Sequence, residues 1–169
     1  MSPQLNQKMN PPTDQDSAIP HPFQLLLRVR YGECDQQQVV FNARYADYID
    51  IAATEYFRAL FGNYQTLIER GIDNQVVRLL INWKSSARFD DVLAIRVHTS
   101  RIGTTSFTLQ VNLFDYASSR AITEAEATYV AVDAKSFKKI VIDDDYRAKL
   151  THGSPGVVVN HAGVNLTPT

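Results

Sequence analysis

From Ala43 to Phe61 the chain carries no helix breaker, and Tyr45, Tyr48, Ile49, Ala52, Tyr56 and Leu60 recur at the three-and-four spacing of one apolar helical face. A helix with so continuous an apolar face is stable only when something covers that face. Gly62 follows where a terminating glycine belongs. Ahead of the helix runs a polar, acidic stretch, Tyr31-Gly-Glu-Cys-Asp-Gln-Gln-Gln38, and then Val39-Val-Phe-Asn42. Asn42 immediately precedes the helical pattern, so its side-chain oxygen is expected to cap the first free amides. The N–H groups at that end point toward whatever occupies the acidic turn, and an anion or a developing oxyanion suits the position.

The cover for the helix comes from segments with a period of two. Leu25, Leu27, Val29 and Tyr31 alternate with Leu26, Arg28 and Arg30, which predicts a half-buried strand that delivers the acidic turn. After the long helix, Tyr64 to Arg70 predicts a short second helix closed by Gly71. Val77, Leu79, Ile81 and Trp83 predict a second strand, Leu93, Ile95 and Val97 a third, Phe107 to Leu113 a fourth, and Ala121 to Val132 a fifth. One face of the fifth is Ala125, Ala127, Tyr129 and Ala131, small enough for the long helix to approach closely. A strand, a helix, then four strands at hairpin spacing imply an α+β domain, with an antiparallel sheet packed on the helix.

At 169 residues, 44% hydrophobic and 21% charged, the chain fits one well-filled core with tails. Residues 1–22 are rich in Pro, Gln and Asn, contain no apolar run that would make a signal-peptide core, and are expected to form a disordered leader. The domain is expected over 23–150, with 151–169 as a C-terminal tail of no readable role. Lys+Arg 17 against Asp+Glu 18 leaves a net charge of -1, no global field for nucleic acid or an acidic membrane. No stretch reaches the roughly 18 continuous apolar residues of a membrane span. The single cysteine, Cys34, excludes an internal disulfide framework and fits a reducing cytoplasm. The four histidines have no metal-ligand spacing and no Gly-rich phosphate loop appears, so neither a metal nor a bound cofactor is expected.

Several separated segments resemble one family. Arg30-Tyr-Gly-Glu-Cys-Asp35 with Val39-Val-Phe-Asn-Ala-Arg-Tyr45, Tyr48-Ile-Asp-Ile-Ala-Ala-Thr-Glu-Tyr56, Glu69-Arg-Gly-Ile72 and Ala87-Arg-Phe-Asp-Asp-Val-Leu-Ala-Ile95 look like the hotdog-fold acyl-CoA thioesterases, in the branch of 4-hydroxybenzoyl-CoA thioesterase and its YbgC-like relatives. The resemblance implies a five-stranded antiparallel sheet wrapped around a long central helix. It also implies hydrolysis of an acyl-CoA or acyl-carrier thioester to free acid, in a homodimer or homotetramer whose subunits share active sites. By position in the motif, the catalytic carboxylate falls on Asp35, and the amide donor to the oxyanion on Asn42. The chain departs from the family pattern at Gln38, where many members have glycine, and around Arg101, where the best-known member has several basic residues.

Thioester hydrolysis needs a carboxylate that attacks the carbonyl or activates water, and donors placed where the oxyanion develops. Asp35 beside the helix start supplies both halves; the plainer reading makes it an Asx residue that stabilises the turn. Glu33 is expected to be structural, and Cys34 a small buried filler. Val40, Phe41 and Tyr45 are assigned to the substrate, and Lys84, Arg88 and Arg101 to the phosphates of coenzyme A, against the alternatives of core packing and solvated strand ends. A non-catalytic acyl-CoA-binding protein of the same fold is the rival function, since fold alone does not separate the two.

Overall fold

The structure is a computed structural model and describes residues 22–166. The leader expected over 1–22 lies outside the described residues except for Pro22. In chain order the elements are β1 (Phe23–Arg28), α1 (Arg44–Phe61), α2 (Tyr64–Glu69), β2 (Ile72–Trp83), β3 (Val92–Ile102), β4 (Ser106–Asp115), β5 (Ala121–Asp133), α3 (Asp144–His152) and β6 (Val158–Asn160). The strands form one sheet in the order β2-β5-β4-β3-β1-β6.

The alternation along β4 sends Phe107, Leu109, Val111 and Leu113 to the interior, where they meet the buried face of α1. That face carries Tyr45, Tyr48, Ile49, Ala52, Ala53, Tyr56, Phe57, Leu60 and Phe61. On β5 the alanines 125, 127 and 131 are buried beneath the helix as the sequence predicts, and Tyr129 stacks on Phe107 with centroids 5.3 Å apart. Small residues on the strand let the aromatic rings of α1 fill the space between the layers. α1 ends at Gly62, whose φ of 79° takes the left-handed conformation and whose N–H donates to the Arg58 carbonyl at 2.7 Å.

The sheet departs from the five-stranded antiparallel expectation. Among the described residues it has six strands, because β6 from the C-terminal segment pairs in parallel with β1, placing Val158 beside Gln24 and Asn160 beside Leu26. A three-residue strand shows no period, and only the open edge of β1 selects it. Ala162 and Val164 then fold over the outer face, onto Leu26, Ala94 and Phe114. The helix α3 was not expected either, although its signals are local: Asp143 caps it by accepting the Tyr146 N–H at 2.7 Å, Asp144 and Asp145 fill the first turn, and Gly153 follows.

The start of α1 also differs. Its first residue is Arg44, its N-cap is Ala43, and no side chain caps it. The chain is already turning at this point: Arg44 donates to the Phe41 carbonyl at 2.9 Å and Tyr45 to the Asn42 carbonyl at 3.4 Å. The expected Asn42 side-chain cap is therefore absent, its place taken by backbone bonds of the preceding turn.

Candidate active site

Between β1 and α1 the chain makes a short 3₁₀ turn over Tyr31–Glu33 and then a tight loop. Asp35 N–H donates to the Val39 carbonyl and Gln38 N–H to the Asp35 carbonyl, both at 2.9 Å, which closes the loop on itself. The Oδ1 of Asp35 accepts the Gln37 N–H at 2.8 Å, so the turn-stabilising role open to an aspartate here is filled. The same bond leaves Oδ2 without a protein partner among the described residues.

The loop is docked on the segment that follows β2. Val39 bridges to Arg88, and Val40 N–H donates to the Ala87 carbonyl at 2.9 Å. Phe41 N–H donates to the Glu33 carbonyl at 2.9 Å. Past these bonds, the N–H groups of Asn42 and Ala43 have no protein acceptor among the described residues. Two amides at the start of an 18-residue helix are therefore unpaired, at the position where the sequence places donors, while the Asn42 side chain does not cap the helix.

Asp35 and Asn42 line one cleft of about 500 Å³, together with Val39, Val40, Phe41, Tyr45, Trp83, Lys84, Ser85 and Ser86. Tyr45 is buried, and its hydroxyl accepts the Ala87 N–H at 3.2 Å while its ring meets Trp83 edge-on at 6.2 Å. Burial pushes its phenol above the ordinary range, so it stays protonated. Lys84 is at the cleft, but its ammonium lies 3.0 Å from the Glu124 carboxylate across the β2–β5 pair. Cys34 packs on the core, and burial raises its thiol, in keeping with a filler.

Six of the eight residues assigned from sequence thus meet at one place, and two do not. Arg88 is exposed and outside the walls of the cleft, because the bridge to Val39 fixes its backbone against the outside of the loop. Arg101 lines a different cleft of about 560 Å³ on the outer face of the sheet, with Arg78, Ser106, Thr108, Glu126 and Thr128. The bulge in β3 between Thr99 and Arg101 sets it there. Trp83, one of the aromatic residues able to shape an acyl pocket, also lines the cleft; Ser85 and Ser86 are cleft residues that carried no site signal in the sequence, and Arg120 reaches the cleft rim from the β4–β5 turn, donating to the Ser85 hydroxyl and to the Ser86 carbonyl.

Gln38, where the sequence departs from the family glycine, adopts a φ of 63°. That left-handed conformation costs an ordinary residue roughly 1–2 kcal/mol, against roughly 0.5–1 kcal/mol for the extra chain freedom of glycine. Gln38→Gly is therefore expected to stabilise the protein by about 0.5–1 kcal/mol, read as a higher denaturant midpoint at constant slope. An unchanged or lowered midpoint would mean that the Gln38 side chain contributes contacts that offset its strain.

Residues 37–122 match the family model described as the thioesterase superfamily. Among curated relatives, the acyl-CoA thioesterase YbgC of Haemophilus influenzae is 28% identical over 131 residues, 77% of this chain and 95% of that protein. Among solved structures, the probable thioesterase YbaW of Escherichia coli superposes with a TM-score of 0.68 at 25% identity, covering 78% of this chain and 98% of that one. A 4-hydroxybenzoyl-CoA thioesterase complexed with 4-hydroxybenzoyl-CoA superposes with a TM-score of 0.67 at 21% identity, covering 75% and 96%.

Proposed function

This chain belongs to the thioesterase superfamily, and on that basis we propose that it hydrolyses an acyl-CoA thioester to free acid and coenzyme A at the cleft of Asp35 and Asn42. The observation that carries the reading is the pairing, on the walls of one cleft, of Asp35, a carboxylate with a free oxygen, and Asn42, whose amide at the helix start is unpaired. The acyl carbonyl oxygen lies toward the N–H groups of Asn42 and Ala43, which stabilise the negative charge that develops as the carbonyl carbon is attacked. Asp35 acts through Oδ2 in one of two ways. As nucleophile it forms an acyl-aspartyl anhydride and expels the thiolate, which takes a proton from water, and a second water then cleaves the anhydride. As base it takes the proton of a water that attacks the carbonyl directly; the tetrahedral intermediate then expels the coenzyme A thiolate, which takes up that proton and leaves Asp35 ionised. Val40, Phe41, Tyr45 and Trp83 form the apolar wall for the acyl group. Coenzyme A is a product here rather than a bound cofactor, and the cytoplasm, where a lone cysteine stays reduced, is the proposed compartment.

Release of free thiol from aromatic, short-chain and long-chain acyl-CoAs tests the reaction and names the acyl class. Tight binding of these thioesters with no thiol released from any would replace the enzyme by the rival acyl-CoA-binding function.

The site is further proposed to be shared between two copies of the chain. β2 is a 12-residue edge strand, and Val77 and Trp83 on it are 59% and 51% exposed, which is the template an added strand needs. Arg101, Thr108, Thr128 and Arg78 lie in one row across the sheet, and the row ends on that edge. Pairing at β2 brings the row toward the partner's cleft, which gives Arg101 the phosphate-binding role that its own cleft denies it. Val77→Lys is expected to convert the oligomer to monomers by sedimentation, with turnover lost in parallel. A parent protein that sediments as a monomer while fully active would sink the shared site.

A further inference from the structure

The second carboxylate of the acidic turn, Glu33, is only 6% exposed, and no other charged residue among those described is buried. Removing a carboxylate from water costs several kcal/mol unless its oxygens are fully engaged. Those of Glu33 are: Oε2 accepts the Arg30 N–H and the Tyr48 hydroxyl, each at 2.7 Å, and Oε1 accepts the Arg30 guanidinium through Nε at 2.8 Å and Nη2 at 2.6 Å. A buried ion pair of this kind is often no more stabilising than apolar residues of the same volume, so the weight of these bonds lies in what they join.

They join the two ends of the catalytic loop to the helix. The Glu33 side chain ties the loop's entry to Tyr48, one turn into α1, and the Glu33 carbonyl takes the Phe41 N–H at 2.9 Å at the loop's exit. Asp35 follows Glu33 by two residues and Asn42 follows Phe41 directly. Building on the function proposed above, we propose that Glu33 is a positioning residue for thioester hydrolysis: through Tyr48 and Phe41 it fixes the Asp35 carboxylate relative to the free amides of Asn42 and Ala43, so that both meet the same carbonyl. A misplacement of about 1 Å between such groups lowers rate by roughly a hundredfold without removing either.

The charge states suit the role. Burial alone would raise the Glu33 carboxyl, but the Arg30 amide, the Arg30 guanidinium and the Tyr48 hydroxyl outweigh it and hold the group below the ordinary carboxylate range. Burial, then the hydrogen bond to Glu33, push the Tyr48 phenol far above its ordinary value, so it remains a donor. The tie therefore persists across neutral pH.

The experiment compares kcat, KM and thermal unfolding for the full-length parent, Glu33→Gln, Tyr48→Phe, the double variant and Asp35→Asn. The expected result is a kcat lower by about 10–100-fold in each of the first two, with KM within about threefold. The double variant falls little further, because both substitutions cut the same tie. Tyr48→Phe leaves every Arg30 contact of Glu33 in place, so it carries the test alone if Glu33→Gln does not fold. A kcat within about twofold of the parent in a folded Tyr48→Phe overturns the proposal, as does a loss of kcat that merely follows a fall in melting temperature and a rise in KM. The Asp35→Asn arm separates the two levels. If that variant turns over like the parent, the site itself is wrong; if it is inactive while the other two match the parent, only the positioning role fails.

Discussion

Asp35→Asn is expected to lower thioester turnover by roughly 10³–10⁴, about 4–5.5 kcal/mol of transition-state stabilisation, and to leave the melting temperature nearly unchanged. The substitution is informative because it divides the two roles this residue fills. An asparagine oxygen accepts the Gln37 N–H as the aspartate Oδ1 does at 2.8 Å, so the Asx turn and the bonds from Asp35 N–H to Val39 and from Gln38 N–H to Asp35 survive. What disappears is the charge on the oxygen that has no protein partner. An amide neither attacks a thioester nor takes a proton from water. If Asp35 served the turn alone, the variant would be close to neutral in rate as well as in stability. Steady-state thiol release therefore decides the matter, and a loss of less than about tenfold would remove Asp35 from the chemistry. In the parent, a single turnover in heavy-oxygen water separates the two routes: when water attacks the aspartyl carbonyl of the anhydride, label enters Asp35, whereas the base route labels only the released acid.

The elements that were legible in the sequence are those whose signal is local. The apolar face of α1 from Tyr45 to Leu60, the alternation in β4 and the alanines of β5 each dictate their own burial, and together they fix which face of the sheet meets the helix. The acidic loop was legible because its residues are consecutive, and Asp35, Val40, Phe41, Asn42 and Tyr45 arrive at the cleft together. The opposite wall was legible only in part, at Lys84 and as an aromatic residue at Trp83. Ser85 and Ser86 reach the cleft because Val40 binds Ala87 across 47 positions of sequence, and nothing in their own composition announces it. Arg88 and Arg101 failed as cleft residues for the same reason: a basic residue's charge is visible in sequence, but the β-bridge at Val39 and the bulge in β3 decide where it points. β6 depends wholly on the open edge of β1. α3 was the exception, a helix whose cap and acidic first turn were in plain view.

Phe57→Ala is expected to destabilise the fold by about 4–5 kcal/mol, near the upper end for loss of a buried aromatic ring. Phe57 is 2% exposed, and its ring lies 5.6 Å from Tyr129, 5.9 Å from Phe107 and 6.1 Å from Tyr64, each nearly edge-on. The surrounding rings are poorly placed to collapse into the space it leaves. Tyr64 is held by its hydroxyl on Asp73 at 2.8 Å, Tyr56 by Thr99 at 3.1 Å, and Tyr146, which packs on Phe107, by Asn74 at 2.9 Å. Alanines line β5 beneath the helix and have no side chain to swing inward. The cavity therefore persists, and three edge-to-face contacts go with the ring. Against a typical total of about 5–15 kcal/mol, a loss of this size lowers the melting temperature by roughly 10–20 °C. Phe57→Leu, which keeps most of the volume, should lose less than about 1.5 kcal/mol. Phe57 stands more than three turns from the start of α1, so the folded fraction of either variant should keep the parent kcat when assayed well below its melting temperature. A lowered kcat in fully folded Phe57→Ala would mean that the packing of the helix body sets the position of the amides at its first turn. An unaltered one would mean that the loop bonds at Glu33, Val39 and Phe41 hold the site by themselves.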